Sequence, residues 1–423
     1  MKNTLKGFLI AALVSGSVVS NTADAKVPEE HKETVKQLKK KRGGKALGPR
    51  TGKKVQKAFE LYSGEDNVEG ALEILLEIET SSKFDKALVD RYIGNMYAGL
   101  DGKADVALKY LYQAKAADQL PFDDHANVIK LIADLSLQEK KYEDALVNYQ
   151  DYLDFSYDLD ATTFLRMANA HYELKQYDEV LKPAKRAIEL FDKPNQNPYV
   201  LIMASYYERK MYPEATKAVE TLVKTFPKDP KWWRQLGMFY MLTEDYARGL
   251  STMEVAYKQG FLETSSQMKQ LAQLYATNGI PYQAASVQEK YINSGLIEKT
   301  EQSVSIMANT FQNAKEFAKA AKYYGEAAKF SNDADLFRKQ ANVYMMLEQF
   351  DKAATAYQKS LDAGVKRKGT VYMGLAEANF YMEKWKASHN AILEAIKDKS
   401  TARSARGWES YIKETATRKG VTL

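Results

Sequence analysis

Side chains suited to nucleophilic, acid–base or metal chemistry are few in this sequence and stand apart. There are four histidines, His31, His125, His171 and His389, and no cysteine. A helical zinc site needs two histidines three or four residues apart on one face, and none of the four has such a neighbour. Without Cys there is no disulfide, thiol nucleophile, thiolate-bound metal or lipidated N-terminal cysteine. No G-x-S-x-G turn is present to expose a serine nucleophile. Asp and Glu are numerous but scattered, which fits surface ion pairing rather than a catalytic carboxylate pair. The segment Gly48-Pro-Arg-Thr-Gly52-Lys53-Lys54 invites reading as a phosphate-cradling loop. Its first glycine is one residue too close, Lys54 stands where a metal-binding hydroxyl belongs, and no strand precedes it. These residues predict no enzyme, no cofactor and no metal.

A second kind of chemistry is electrostatic. Ten Lys and Arg residues lie between Lys32 and Lys54, with Glu33 the only acid among them. Lys39, Lys40, Lys41, Arg42, Lys53 and Lys54 could meet anionic lipid headgroups, peptidoglycan or an acidic partner. A solvated linker accounts for the same charges. Gly43, Gly44, Gly48, Pro49 and Gly52 interrupt the run, so residues 26–51 are expected to form a flexible basic leader. The net charge of the whole chain is only +6, short of the profile of a nucleic-acid binder.

Ahead of the leader, Lys2 and Lys6 precede an apolar run from Phe8 to Val19, followed by Ala23-Asp-Ala25. This is the layout of a secretory signal peptide over residues 1–25, cleaved after Ala25. The run is too short to cross a bilayer core of about 30 Å. Export into the periplasm is the expectation, and a Cys-free chain can fold there without oxidative help.

The elements that must position any binding residue follow a fixed beat. A small residue, or its substitute, falls at Ala71, Ala107, Ala145, Val180, Ala215, Gly249, Ala284, Ala320, Ala353 and Ser388. Several lie three residues after an aromatic, as in Tyr142-Glu-Asp-Ala145 and Phe350-Asp-Lys-Ala353. A period of about 35 residues marks stacked supersecondary units. Within one unit Trp233, Leu236, Gly237 and Tyr240 share a helix face, and Tyr246, Gly249, Met253 and Ala256 share another. Gly237 is expected where the second helix crosses closely. Only 10 Pro and 22 Gly in 423 residues suit long helices.

The pattern large-x-x-Leu-Gly/Ala-x-x-Tyr, then Ala-x-x-x-Tyr/Phe-x-x-Ala, then a late Pro such as Pro227, resembles the tetratricopeptide repeat (TPR) family over residues 52–402. The resemblance implies an all-α fold, a right-handed α-solenoid of about ten helix-turn-helix units. Units begin near Thr51, Leu88, Ala126, Ala161, Gln196, Pro230, Ser265, Glu301, Ala334 and Gly369. Residues 403–423 are expected to form a capping helix and tail, with Trp408, Tyr411 and Ile412 on one face. His171 stands where the family has Tyr and is expected to pack in the core.

Family geometry implies that the first helices line a concave face. The candidate partner-binding residues there are Asn169, Tyr172, Tyr207, Arg234, Lys269, Gln273, Asn309, Arg338 and Asn342. Arg338 with Asn342 resembles half of the carboxylate clamp by which some TPRs hold peptide C-termini, and Lys269 with Gln273 is a weaker echo. A solvated helix face explains them equally. The expected partners are other proteins, with no nucleic acid.

The leader around Leu47-Gly-Pro-Arg-Thr-Gly-Lys-Lys54, Val55-Gln-Lys-Ala-Phe-Glu and the ten units together resemble periplasmic TPR proteins associated with TonB energy-transduction systems. That resemblance implies a scaffold accessory to TonB-dependent iron–siderophore uptake. The alternative is a TPR scaffold for cell-wall or outer-membrane assembly.

Overall fold

The computed structural model describes residues 27–64 and 67–423, so the expected export segment 1–25 lies outside the described residues. Among them are 22 α-helices, a short 3-10 turn at Glu29–His31, and no strand. The chain is all-α, built of TPR-type hairpins in two bodies, Met1–Pro227 and Lys228–Leu423.

The first body opens with α1 (Lys32–Lys41) and continues as five antiparallel hairpins. These are α2 (Pro49–Gly64) with α3 (Val68–Leu76), α4 (Lys83–Ala98) with α5 (Ala104–Ala117), and α6 (Phe122–Gln138) with α7 (Tyr142–Ser156). Then come α8 (Ala161–Glu173) with α9 (Leu181–Leu190), and α10 (Gln196–Glu208) with α11 (Tyr212–Thr225). The second body begins with α12 (Pro230–Leu242) and α13 (Tyr246–Lys258), then α14 (Ser265–Thr277) and α15 (Pro281–Asn293). It continues with α16 (Glu301–Asn313) and α17 (Phe317–Ser331), α18 (Ala334–Met346) and α19 (Phe350–Asp362), and α20 (Lys368–Tyr381) and α21 (Trp385–Lys397). Helix α22 (Ala402–Arg418) closes it.

Local chemistry sets where these helices start and stop. Most first helices are capped by a short polar side chain that accepts from a first-turn N–H. Ser82, Asp160, Asn195, Asp229, Thr264, Thr300 and Asp333 do this. The first helices end in a recurrent left-handed residue, at Lys140, Lys175, Lys210, Glu244, Gly279, Lys315, Glu348 and Glu383. The next N–H then reaches back to close the helix, as Lys141 N does to Ser136 O and Asp245 N to Tyr240 O. This is a Schellman ending. Only one of the eight is glycine, although the conformation costs an L-residue about 1–2 kcal/mol. The closing bonds and the burial of the following helix offset that cost.

The small residues of the beat sit at helix contacts. Ala71, Ala107, Ala145, Val180, Ala215, Ala284, Ala320 and Ala353 have no exposed surface. Ser388 is equally buried and donates its hydroxyl to the Ala376 carbonyl at 2.8 Å, which makes a polar substitute tolerable. A Cβ on Gly237 would lie 2.7 Å from Met253 Cγ and Sδ, so the close crossing of α12 and α13 is real. In the cap helix, Ala405, Ile412 and Ala416 form the buried face. Tyr411, expected on that face, is instead 49% exposed.

The leader differs most from expectation. Residues 32–41 form α1 rather than a flexible arm, and α2 starts at Pro49, inside the segment expected to be disordered by its glycines. Helix α1 packs on α6 through buried Val35. Arg42, just past its end, donates to the carbonyls of Asp118 at 3.0 Å and Leu120 at 3.4 Å and pairs with the Asp118 carboxylate. Its guanidinium lies 5.0 Å from the Phe155 ring centre, and Lys39 pairs with Asp123 at 2.9 Å. The supposed phosphate loop is a helix start whose Gly48 N–H already bonds the Asp85 carboxylate at 3.1 Å.

Candidate functional site

The predicted concave-face residues are spread over six helices in the two bodies. Asn169, Tyr172 and Tyr207 lie on α8 and α10 of the first body. Arg234, Lys269, Gln273, Asn309, Arg338 and Asn342 lie on α12, α14, α16 and α18 of the second. Several are committed within the fold. The Tyr324 hydroxyl lies 2.6 Å from Asn309 Oδ1 and 2.7 Å from Gln312 Oε1, and the Tyr357 hydroxyl donates to Asn342 Oδ1 at 2.7 Å. Tyr149 donates to Asp134 at 2.7 Å with the same offset of 15 residues.

This recurrence explains the asparagine series. The buried tyrosines of α7, α17 and α19 each need an acceptor for the hydroxyl, and the Asp or Asn 15 residues earlier supplies it. Expecting Asn309 and Asn342 to be open to a ligand was therefore wrong for their Oδ1 atoms. At the fourth hairpin Ala184 stands 15 residues after Asn169, so no tyrosine reaches that amide. Arg234 donates to the Phe261 carbonyl at 3.0 Å, pinning the loop after α13. Arg338 pairs with Asp335 at 3.0 Å, and Gln273 bonds Thr277 at 3.3 Å. Lys269 is exposed. Tyr172 lies 5.5 Å from Tyr177, and Tyr207 lies 5.9 Å from Tyr212, between ring centres. Burial, then the Glu208 carboxylate, push the Tyr172 phenol up to about 12.

The basic leader residues divide in the same way. Lys39 and Arg42 are spent on α6 and its flanking loop, and Lys54 donates to the Glu77 carbonyl at 3.1 Å. Lys40, Lys41 and Lys53 remain exposed.

A site not foreseen from the sequence lies between the second helices α7 and α9, with Phe164, Met167 and His171 of α8 in its lining. In neighbouring seams second helices are tied by side chains. Lys115 on α5 reaches Asp151 on α7 at 2.5 Å, and Lys319 on α17 reaches Glu289 on α15 at 2.9 Å. Between α7 and α9 the seam opens into a cleft of about 1320 Å3. Its apolar lining includes Leu153, Tyr157, Leu159, Phe164, Met167, Leu181 and Pro183. Charged side chains border it, among them Glu30, Asp154, Glu179, Lys182 and Lys185. Pro28, Glu30 and His31 of the leader form part of its wall, and the His31 ring stacks 4.6 Å from Tyr157.

The cause is one residue. Six other second helices begin at the aromatic after the turn, as α7 does at Tyr142 and α11 at Tyr212. A helix beginning at Tyr177 would place Pro183 in its interior, without an N–H and against the preceding turn. Helix α9 instead starts at Leu181, with Pro183 in its first turn, and Tyr177–Val180 form a tight non-helical turn. The missing helical turn leaves the cleft. His171, expected to pack in the core, faces this cleft, with Nδ1 2.7 Å from Gln176 Oε1. Pro183 was the legible signal.

Among the described residues no three His, Asp or Glu side chains gather as metal ligands. Nearby, His125 is buried against the leader latch. Burial, then the Arg42 guanidinium, lower its pKa to about 4.

No protein-family model and no curated protein matches the chain. Solved structures do align with it. The C-terminal part of a TPR repeat-containing protein from Cytophaga hutchinsonii is 17% identical, over 57% of this chain and 98% of its own, with a TM-score of 0.36. A tetratricopeptide repeat protein from Parabacteroides merdae is 15% identical, over 70% of this chain and 100% of its own, at 0.36. The TPR2AB domain of yeast Sti1, solved as a pHSP90 complex, is 16% identical over 60% of this chain and 98% of its own, at 0.31. The fold assignment rests on the chain's own hairpins and caps.

Proposed function

We infer that this chain is a protein-binding scaffold of the periplasm and an accessory component of a TonB-dependent system for iron–siderophore uptake. The observation that supports protein binding is the α7–α9 cleft, with its apolar lining and mixed-charge border. Taking a helix as a cylinder about 10 Å across, the cleft volume corresponds to roughly three helical turns. An amphipathic segment laid there would cover the apolar lining and meet the mixed-charge border. The TonB assignment rests on the layout of export segment, basic leader and ten hairpins, and the periplasmic assignment on the export segment.

The test is site-specific photocrosslinking in cells under iron limitation, with the probe at Lys182 on the cleft border and a control probe at Ser286 on α15. Recovery of a TonB-system protein from Lys182 but not Ser286 is the expected result. Recovery of cell-wall synthases or outer-membrane assembly factors alone would overturn the TonB assignment. Deletion should also impair growth on ferric siderophores while leaving envelope integrity unchanged.

A further inference from the structure

A group of unpaired cations in the second body lies along one edge of its last hairpins. Lys366 and Arg367 lie in the loop between α19 and α20, Lys368 opens α20, Lys399 lies in the turn between α21 and α22, and Arg403 is in the first turn of α22. The two loops adjoin, because Gly369 N donates to the Asp398 carboxylate at 3.1 Å. A Cβ on Gly369 would fall 2.3 Å from Thr401 Oγ1, so the approach is tight. The preceding loop joins the same edge, where Ser360 Oγ donates to the Ala334 carbonyl at 2.7 Å.

The acids on this edge are held by hydrogen bonds within it, but Asp333, Asp362 and Asp398 have only neutral donors and keep their charge against the five cations. Asp398 accepts from Gly369 N, Ser400 N and Ser400 Oγ, and these bonds hold its carboxyl below the usual carboxylate range. Asp362 accepts from Gln358 at 2.9 Å, Asp333 caps α18 through Leu336 N, and Asp335 holds Arg338. The five cations are all exposed and enter no ion pair among the described residues. Phe330, at the end of α17 on the same edge, is 51% exposed. Cations on loops and helix starts match a plane of negative charge better than a groove-bound peptide. The exposed phenyl ring at the end of α17 can enter a headgroup layer.

We propose that this edge, carried by Lys366, Arg367, Lys368, Lys399 and Arg403, docks the second body on an anionic phospholipid surface. The site is separate from the α7–α9 cleft and from the leader, so it stands or falls independently of the scaffold reading.

The experiment is cosedimentation of the full chain with vesicles of mixed phosphatidylglycerol and phosphatidylcholine, against phosphatidylcholine alone, at low and physiological salt. Binding should require phosphatidylglycerol and weaken with salt. Lys366→Gln/Arg367→Gln/Lys368→Gln should lower the apparent affinity on the order of 100-fold. Lys399→Gln/Arg403→Gln should lower it about 30-fold by the same reasoning. Lys40→Gln/Lys41→Gln/Lys53→Gln in the leader should leave it unchanged. All the altered side chains are exposed, and unchanged circular-dichroism melts will show that the variants fold. Failure to sediment with anionic vesicles would overturn the proposal. So would loss of binding in the leader variant with retention in both edge variants. An edge that binds soluble polyglutamate but ignores vesicles would be a protein-docking surface, and the lipid assignment would be wrong.

Discussion

Replacing Arg42 with alanine should free the leader helix while leaving the hairpins beneath it folded. The Arg42 side chain donates to the Asp118 carbonyl at 3.0 Å and the Leu120 carbonyl at 3.4 Å, and pairs with the Asp118 carboxylate. A charged hydrogen bond contributes about 1.5–3 kcal/mol, but Asp118 is 68% exposed and all the bonds share one guanidinium, so about 1.5 kcal/mol is taken for the set. Stacking on Phe155 adds about 0.5–1 kcal/mol. The loss is then about 2 kcal/mol, which raises the population of the detached leader roughly 30-fold. The other anchors of helix α1 are buried Val35, the half-exposed Lys39–Asp123 pair with Lys39 over the Phe122 ring, and the contact of His31, just before it, with Tyr157. Hydrogen exchange by mass spectrometry should show amides 35–41 exchanging about 30-fold faster, with α6 and α7 still protected. Arg42→Lys retains the charge but loses the planar fork, and should fall between the two. Unchanged protection in Arg42→Ala would mean that α1 is held by its apolar face, and the latch argument would fail.

Gly237→Leu should overpack the α12–α13 crossing against Met253 and cost about 1–3 kcal/mol by urea denaturation, whereas an unchanged midpoint would refute the helix phase. Asn342→Ala should cost about 1–2 kcal/mol, because the Tyr357 hydroxyl, only 4% exposed, loses its acceptor. Adding Tyr357→Phe should recover part of that loss, and full additivity would argue against the bond. His125 has a folded pKa of about 4, below the usual 6.5, so the unfolded chain binds the proton more readily between those values. Stability should be fully present above about pH 6.5 and fall as pH drops toward 4, by at most about 3 kcal/mol. His125→Phe should flatten this window in urea titrations followed at several pH values.

The helices were legible because their causes are local. Starts at Ala161, Gln196, Pro230, Ser265, Glu301 and Ala334 follow from a polar cap one residue earlier and an apolar face of period 3.6. The first hairpins start earlier than their phase suggests, as α4 does at Lys83, because Ser82 caps it upstream of the repeat motif. What could not be read was non-local. Arg42 meets its partners 76 and 78 residues away, with no periodic cue. The partners of Asn309 and Asn342 became visible only once their tyrosines were placed. Pro183 is an intermediate case, since its effect on the start of α9 is local but the cleft it leaves depends on α7.

The docked leader also changes how the first body can fold. In a linear array each hairpin touches only its neighbours, so segments can form and dissolve independently. Arg42 joins the start of the chain to the loop before α6, and thereby closes the first two hairpins into a loop. During synthesis α1 has no docking site until Asp118–Leu120 and Phe155 have emerged. Once closed, the clip makes fraying from the N-terminal end of the array require loss of a contact two hairpins away. The terminus of the array, ordinarily its weakest point, then opens together with the third hairpin rather than by itself.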